Sequence, residues 1–521
     1  MTTTHISRRH FLKQGGALTS AATVGMPLVM NLMTGSSAQA ATGNGYKALV
    51  CVFLAGGNDA HNTVIRTDKG RERFMAARAT VGAEVMATDG PGAYSPLNPL
   101  DMSKAPNQTG IQGLTLALHP SLGNLKTYFE SGSLAIIGNV GPLAAATTLT
   151  SYQDASVALP PKLFSHNDQT SMWQSGQTEG AVSGWGGEMV RRFANLNQVS
   201  GVGNAQMFSA IGIEAAPVFC AGTNAKMPDA NPVVVPFGAS TSGGALRPGG
   251  MGRDESASPP GPWLIDWFTR REDALPGIFS GLAGRGETTQ AGVVANSLLE
   301  ADYLTKLNNA NEAWKAISQA TATVTTSAPP SGNVLAAQLA QVAQLIKASS
   351  NNPLALGRQV FFVQLGGFDT HSGQIGPNSA HKNLLKSLDE ALKYFNDELG
   401  EVDRGKVITF TASEFGRKLN ENGDGTDHGW GGHHFVMGGR VKGGVYGHFP
   451  DLSTWSAATS SYSDGQLLPD GTMIPKVSVD LFAKELGKWL GIDWAVGTNP
   501  VVAAQLFPNL NVNQALLGFA G

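Results

Sequence analysis

The sequence predicts an α/β fold in which a parallel sheet lies between helices, and three observations carry that prediction. Residues 47–54 (KALVCVFL), 359–365 (QVFFVQL) and 407–412 (VITFTA) are almost unbroken apolar runs, the pattern of strands covered on both faces. Stretches of helical periodicity alternate with them. In 378–399, Leu385, Leu388, Leu392, Phe395 and Leu399 form one stripe that would pack on a sheet. Each apolar run also breaks into a polar, glycine-bearing segment: AGGND, GGFDTH and SEFGR. Open α/β sheets place their ligands at such carboxyl ends.

Taking the chain in order, residues 7–13 (SRRHFLK) join a twin arginine to Phe and Leu. A weakly apolar stretch over 15–33 and then Ala38-Gln39-Ala40 follow. This is the layout of a twin-arginine export signal with an A-x-A cleavage site. Residues 1–40 are therefore expected to be a signal peptide, with the mature chain beginning at Ala41. Gly, Thr and Ser dilute the apolar stretch, which argues against an uncut anchor, and no later stretch reaches the ~18 uninterrupted apolar residues of a spanning helix. The expected destination is periplasmic or secreted, reached through the twin-arginine export machinery, with no stable membrane span after cleavage. That route carries proteins already folded, often with a metal or cofactor in place.

With 521 residues, 42% hydrophobic and 14% charged, the chain can bury a large core, and 41–521 is expected to form one domain. Losing Arg8, Arg9 and Lys13 with the signal removes three positive charges and takes the net charge from −3 to −6. The remaining basic residues are not clustered, which excludes nucleic acid as a partner. Cys51 sits inside the first apolar run, so Cys51 and Cys220 read as buried thiols, with a disulfide left open by an oxidising compartment.

Past the first run, Asp59 is either a ligand at a strand end or a turn and helix-capping residue. His119-Pro120-Ser121 opens a helix closed by Gly132, and a strand follows over 133–140. In LFSHNDQTSMW (163–173), Ser165 with Asp168 has the form of a capping box. A serine at a helix N-terminus also sees the positive end of the dipole, so Ser165 can equally be a nucleophile. Residues 240–262 read as an exposed loop or lid, and 263–275, 288–317 and 333–349 as helices, together a loop and helical insertion over about 240–350. The second strand end brings Asp369 and His371, two apart and so on one side of an extended segment, as ligands of one ion must be. At the third, Glu414 could be a ligand or orient one, and Arg417 could hold an anion or pair with Glu414. The segment ENGDGTDHGWGGHH then sets Asp427 beside His428 among five glycines between Gly423 and Gly432. A carboxylate and an imidazole on an irregular loop suit a divalent metal, and also a solvated turn.

FLAGGNDAHN, HPSL, LFSHNDQTSMW, LGGFDTH, SEFGRKLNENGDGTDHG and MGGRVKGGVYGH, in that order behind the twin arginine, resemble the exported bacterial family of domain of unknown function 1501. That family is grouped with the alkaline phosphatase and sulfatase superfamily. The resemblance implies a large, mostly parallel sheet between helices, with one or two metals at the strand ends and a hydroxyl or thiol nucleophile. It implies metal ligation by Asp59, Asp369, His371, Asp427, His428 and His448, although the superfamily usually spaces its middle Asp and His further apart. The nucleophile is set at Ser165, with Thr170 and Ser121 behind it.

The function expected is a periplasmic hydrolase of phosphate or sulfate esters. One or two divalent ions, plausibly zinc, would act on a small or polymer-borne anionic ester, with Arg417 on a non-bridging oxygen. The alternative is a non-catalytic exported binding or assembly protein on the same scaffold, working with an exported protein partner.

Overall fold

The computed structural model describes residues 45–85, 97–104, 113–193, 208–213, 217–222, 236–238, 247–248, 320–350, 356–375, 379–494, 506–507, 509 and 514–521. The expected signal peptide, the helices at 263–275 and 288–317, and most of the loop at 240–262 lie outside these residues.

Seven sheet strands come first: β1 (Lys47–Leu54), β2 (Leu134–Gly141), β3 (Ala210–Ile213), β4 (Pro236–Gly238), β5 (Arg247–Pro248), β6 (Arg358–Leu365) and β7 (Val407–Ala412). β8 (Arg417–Glu421) and β9 (Thr426–His428) pair only with each other, and β10 (Gly432–Gly438), β11 (Gly444–Gly447) and β12 (Val477–Ser478) return to the sheet. The order across it is β11-β2-β10-β7-β1-β6-β3-β4-β5, with β12 also on β2. The pairings β7-β1, β1-β6, β6-β3, β3-β4, β2-β11 and β2-β12 are parallel. β10 runs antiparallel between β7 and β2, and β5 antiparallel to β4. The fold is α/β with a mostly parallel sheet, as the strand patterns predict.

The unbroken apolar runs have the cause inferred for them. In β1, Ala48, Val50, Val52 and Leu54 point into one core with Phe361, Val363 and Leu365 of β6, while Phe53 stacks on Phe362 across the other face, centroids 5.7 Å apart. Alternate residues thus serve opposite layers. Helices α1 (Arg71–Ala77), α2 (Gly123–Glu130), α3 (His166–Ser175), α4 (Trp185–Arg191), α5 (Val334–Ser350), α6 (Ala380–Arg404) and α7 (Val479–Leu490) supply the cover. α2, α5 and α6 close the first face; the stripe expected on α6 is buried at Leu385, Leu388, Leu392, Phe395 and Leu399. The periodicity stops at Leu399 for a reason: Gly400 leaves the helical region with φ 63°. On the opposite face Phe482 of α7 meets Phe410 of β7. Cys51 and Cys220 are buried free thiols. Among the described residues no helix is long and apolar enough to cross a membrane.

Phe361 is fully buried at the centre of this packing. Phe361→Ala is expected to cost ~3–5 kcal/mol, read as a lowered midpoint in urea unfolding followed by circular dichroism.

Candidate metal centre at the strand ends

β7, β1 and β6 are parallel neighbours, so their carboxyl ends emerge together. Leu54 pairs with Leu365, and Phe53 with Ala412. The loops beyond them touch because one position lacks a side chain. A Cβ on Gly56 would lie 2.2 Å from the Asp369 nitrogen, and its φ of +117° favours glycine. Gly425 plays the same part against His371, whose carbonyl carbon a Cβ would meet at 2.3 Å.

Arg417, fully buried, joins these loops. Its Nε donates to the Gly57 carbonyl at 3.0 Å, Nη1 to Thr426 at 2.5 Å, and Nη2 to Gly56, to Phe368 at 3.1 Å and to Asp369 Oδ1 at 2.5 Å. This corrects two expectations. Arg417 does not pair with Glu414, and with no exposed surface it holds the loops rather than a substrate oxygen. It is a positioning residue.

Asp369 is the centre of what those loops assemble. His371 Nδ1 lies 2.8 Å from Asp369 Oδ1, His428 Nε2 3.3 Å from the same oxygen, and His166 Nε2 3.5 Å from Oδ2. The other nitrogens of two of these rings are already engaged. His428 Nδ1 donates to the Phe164 carbonyl at 2.7 Å, and His166 Nδ1 to Glu414 Oε1 at 2.9 Å, which also accepts the Gly56 N–H at 2.8 Å. A carbonyl and a carboxylate only accept, so each ring carries a proton on Nδ1, and its Nε2 faces Asp369. Phe164 presents its carbonyl from a left-handed backbone, φ 74°, a conformation that costs a residue with a side chain.

Burial pushes the Asp369 carboxyl up, but above all the hydrogen bond and charge of Arg417 outweigh it and bring it down to about 2. Burial lowers the His428 imidazole despite the Phe164 carbonyl, whereas the Glu414 hydrogen bond raises His166. Two Nε2 atoms thus face one ionised carboxylate, and with both rings neutral their lone pairs and the carboxylate oxygens are the donors a cation between them would take. One donor atom each from His166, Asp369 and His428 lies within 4.8 Å of the others. Two imidazoles and a carboxylate, each ring oriented through its far nitrogen, are the chemistry of a zinc-type site, and the residues fit the group.

The remaining expected ligands lie elsewhere. Asp427 and His428 are consecutive on β9, so their side chains leave opposite faces. His428 joins the centre, while Asp427 accepts from Asn422 at 3.0 Å and lies 3.8 Å from Lys418. Asp59 is completely buried against Arg78 and Gln374. His448 faces Asp464 at 3.1 Å. His371 contacts Asp369 from the exposed side but is not one of the three clustered donors. Ser165 occupies the N-cap of α3, as its spacing suggests, but its hydroxyl donates to Asp168 Oδ2 at 2.8 Å instead of capping the backbone. His166 is the donor the sequence reading missed. It stands in LFSHNDQTSMW one residue from the chosen serine, and only folding α3 against Glu414 distinguishes it from any helix-start histidine.

These features define an α/β protein with a candidate cation site at its parallel strand ends. Residues 305–491 match the family described as "Protein of unknown function (DUF1501)". No curated protein matches the chain. Two solved structures are similar over most of it. Ps i-CgsB in complex with k-i-k-neocarrahexaose is 10% identical, covering 91% of this chain and 78% of that one, with a TM-score of 0.32. The alkaline phosphatase from the Antarctic bacterium TAB5 is 10% identical, covering 78% and 95% respectively, with a TM-score of 0.25. At that distance the chemistry of the site rests on its own geometry.

Since the Asp369 carboxyl is held near 2, below the ~3.9 of an unfolded aspartate, its contribution to stability is fully present above pH ~4 and is lost as pH falls through ~2. In metal-free protein, Asp369→Asn is expected to flatten the acid limb of stability between those values, measured by denaturant melts at stepped pH. An unchanged acid limb would mean that the carboxyl contributes nothing there.

Proposed function

We propose that this chain is an exported, metal-dependent hydrolase of phosphate or sulfate esters. One observation carries the reading: two imidazoles with their Nδ1 protons tied to fixed acceptors aim both Nε2 atoms at one ionised carboxylate. His166, His428 and Asp369 would hold the ion, a nitrogen and oxygen donor set that suits zinc, with Glu414 and the Phe164 carbonyl keeping the rings in place. When bound, such an ion supplies Lewis-acid polarisation of an ester and lowers the pKa of an attacking hydroxyl.

Ser165 is the nucleophile in this reading. It adjoins His166, and its hydroxyl proton is already directed at buried Asp168, whose other oxygen lies 3.4 Å from Lys162. Its Oγ would bond to phosphorus or sulfur as the ester oxygen leaves, and water would then release the acid and restore the serine. The twin-arginine motif supports action outside the cytoplasm, on a small or polymer-borne anionic ester.

The test is to purify the exported chain, measure bound metal by mass spectrometry, and assay p-nitrophenyl phosphate and sulfate. Wild type is expected to carry metal and turn over at least one ester. Asp369→Asn should abolish both, and Glu414→Gln should weaken metal affinity ~10–100-fold. Metal-replete protein inert on every ester would favour a binding or assembly role with an exported partner. Turnover untouched by Asp369→Asn would place the chemistry elsewhere.

A further inference from the structure

Asp59 lies in the turn beyond the end of β1, where the sequence leads one to expect a metal ligand, yet its carboxylate meets a guanidinium. Arg78, the residue that ends α1, donates Nη1 to Asp59 Oδ2 at 2.5 Å and Nη2 to Oδ1 at 2.9 Å. Its remaining N–H groups reach Asn62 Oδ1 at 2.7 Å and the carbonyls of Leu419 and Lys418 at 2.7 and 2.6 Å. All five guanidinium donors therefore have acceptors, and both side chains are 0% exposed. Gln374 Nε2 adds a 2.5 Å bond to Asp59 Oδ2, while its Oε1 accepts from Thr426 at 2.8 Å and Thr370 at 3.2 Å. Thr370 follows Asp369, and Thr426 stands two residues before His428. The ion pair is thus joined directly to the frame of the metal centre.

A buried carboxylate needs a compensating positive charge. At Asp59 that charge is covalently part of the chain, and neither oxygen opens to solvent. We propose that Arg78 takes the place of a second metal ion, so that the chain binds one divalent ion and selects monoanionic tetrahedral esters over dianionic phosphate monoesters. The substrate half of this proposal rests on the hydrolase reading above; the ion count does not.

The preference follows from charge. Asp59 and Arg78 cancel. Around a single divalent ion stand the carboxylates of Asp369 and Glu414 and the guanidinium of Arg417, which together leave one positive charge. A sulfate monoester or a phosphodiester balances it, whereas a phosphate monoester dianion exceeds it.

The exported chain, stripped and reloaded with zinc chloride, is analysed by mass spectrometry and calorimetric titration. One ion per chain is expected, both in wild type and in the neutral double variant Asp59→Asn/Arg78→Gln, and none in His166→Ala/His428→Ala. Two ions in wild type, or loss of the ion from a double variant that still melts cooperatively, would overturn the proposal. Should the double variant not fold, the wild-type count decides alone.

Activity is read as enhancement over each uncatalysed rate for p-nitrophenyl sulfate, bis(p-nitrophenyl) phosphate and p-nitrophenyl phosphate. One of the first two should exceed the third at least tenfold, and which one separates sulfatase from diesterase chemistry. Preference for the dianion refutes the charge argument. Inertness on all three with one ion bound ends the hydrolase reading, and the substrate half with it, while leaving Arg78's role standing.

Discussion

The structure depends on one guanidinium. Parallel strands are held by their ladder only as far as they run, and beyond Leu54, Leu365 and Ala412 the three chains are joined by a few loop bonds such as Phe368 N–H to the Ala55 carbonyl at 3.1 Å and Asn58 N–H to Ser413 Oγ at 3.0 Å. Arg417 adds the largest set of bonds there, donating to the carbonyls of Gly56, Gly57, Phe368 and Thr426 and to the Asp369 carboxylate. A wholly buried cation is costly unless its donors are satisfied. Five acceptors from three segments meet that need, and their doing so fixes where Asp369 and β9 stand. The small residues follow from the same requirement, because loops drawn this close leave no room for a Cβ at Gly56 or Gly425.

On that frame the imidazoles are set by their outer nitrogens. Glu414 ties His166 to the end of β7 and, through the Gly56 N–H, to the end of β1. The strained turn at Phe164 ties His428 to the segment leading into α3. His166 and His428, 262 positions apart in sequence, come within 4.4 Å ring to ring. The start of α3 is therefore fastened to the sheet by the same two bonds that fix both tautomers. Orientation of the donors and docking of the helix cannot be separated.

Much of this was legible in the residues. The apolar runs at β1, β6 and β7 announced strands buried on both faces, the stripe on α6 announced its packing, and the strand ends marked Asp369 and His428. What could not be read was pairing across distance. Adjacency suggested that Asp427 acts with His428, but that inference treats the segment as irregular loop; once it is a strand, the period of two sends the neighbours apart. Arg417 resembled an anion hook because carbonyl acceptors, which every residue carries, leave no mark in the sequence. His166 was hidden because its significance lies in Glu414, 248 positions away.

Two aspartates close to one another in plan, Asp59 and Asp369, show how exposure decides the outcome. Each follows a double-glycine strand end, and each is bonded to an arginine. Asp59 is sealed, both oxygens held by Arg78 and Gln374 with no solvent contact, so its charge is permanently balanced by Arg78 and leaves no oxygen open to an exchangeable ion. Asp369 has a side chain 48% exposed, and Arg417 engages only Oδ1, which leaves Oδ2 facing His166 Nε2. The same residue type after the same local sequence is therefore a fixed brace in one loop and an open, accessible carboxylate in the other. The difference arises from α1, which delivers Arg78 to the first strand end and has no counterpart at the second among the described residues.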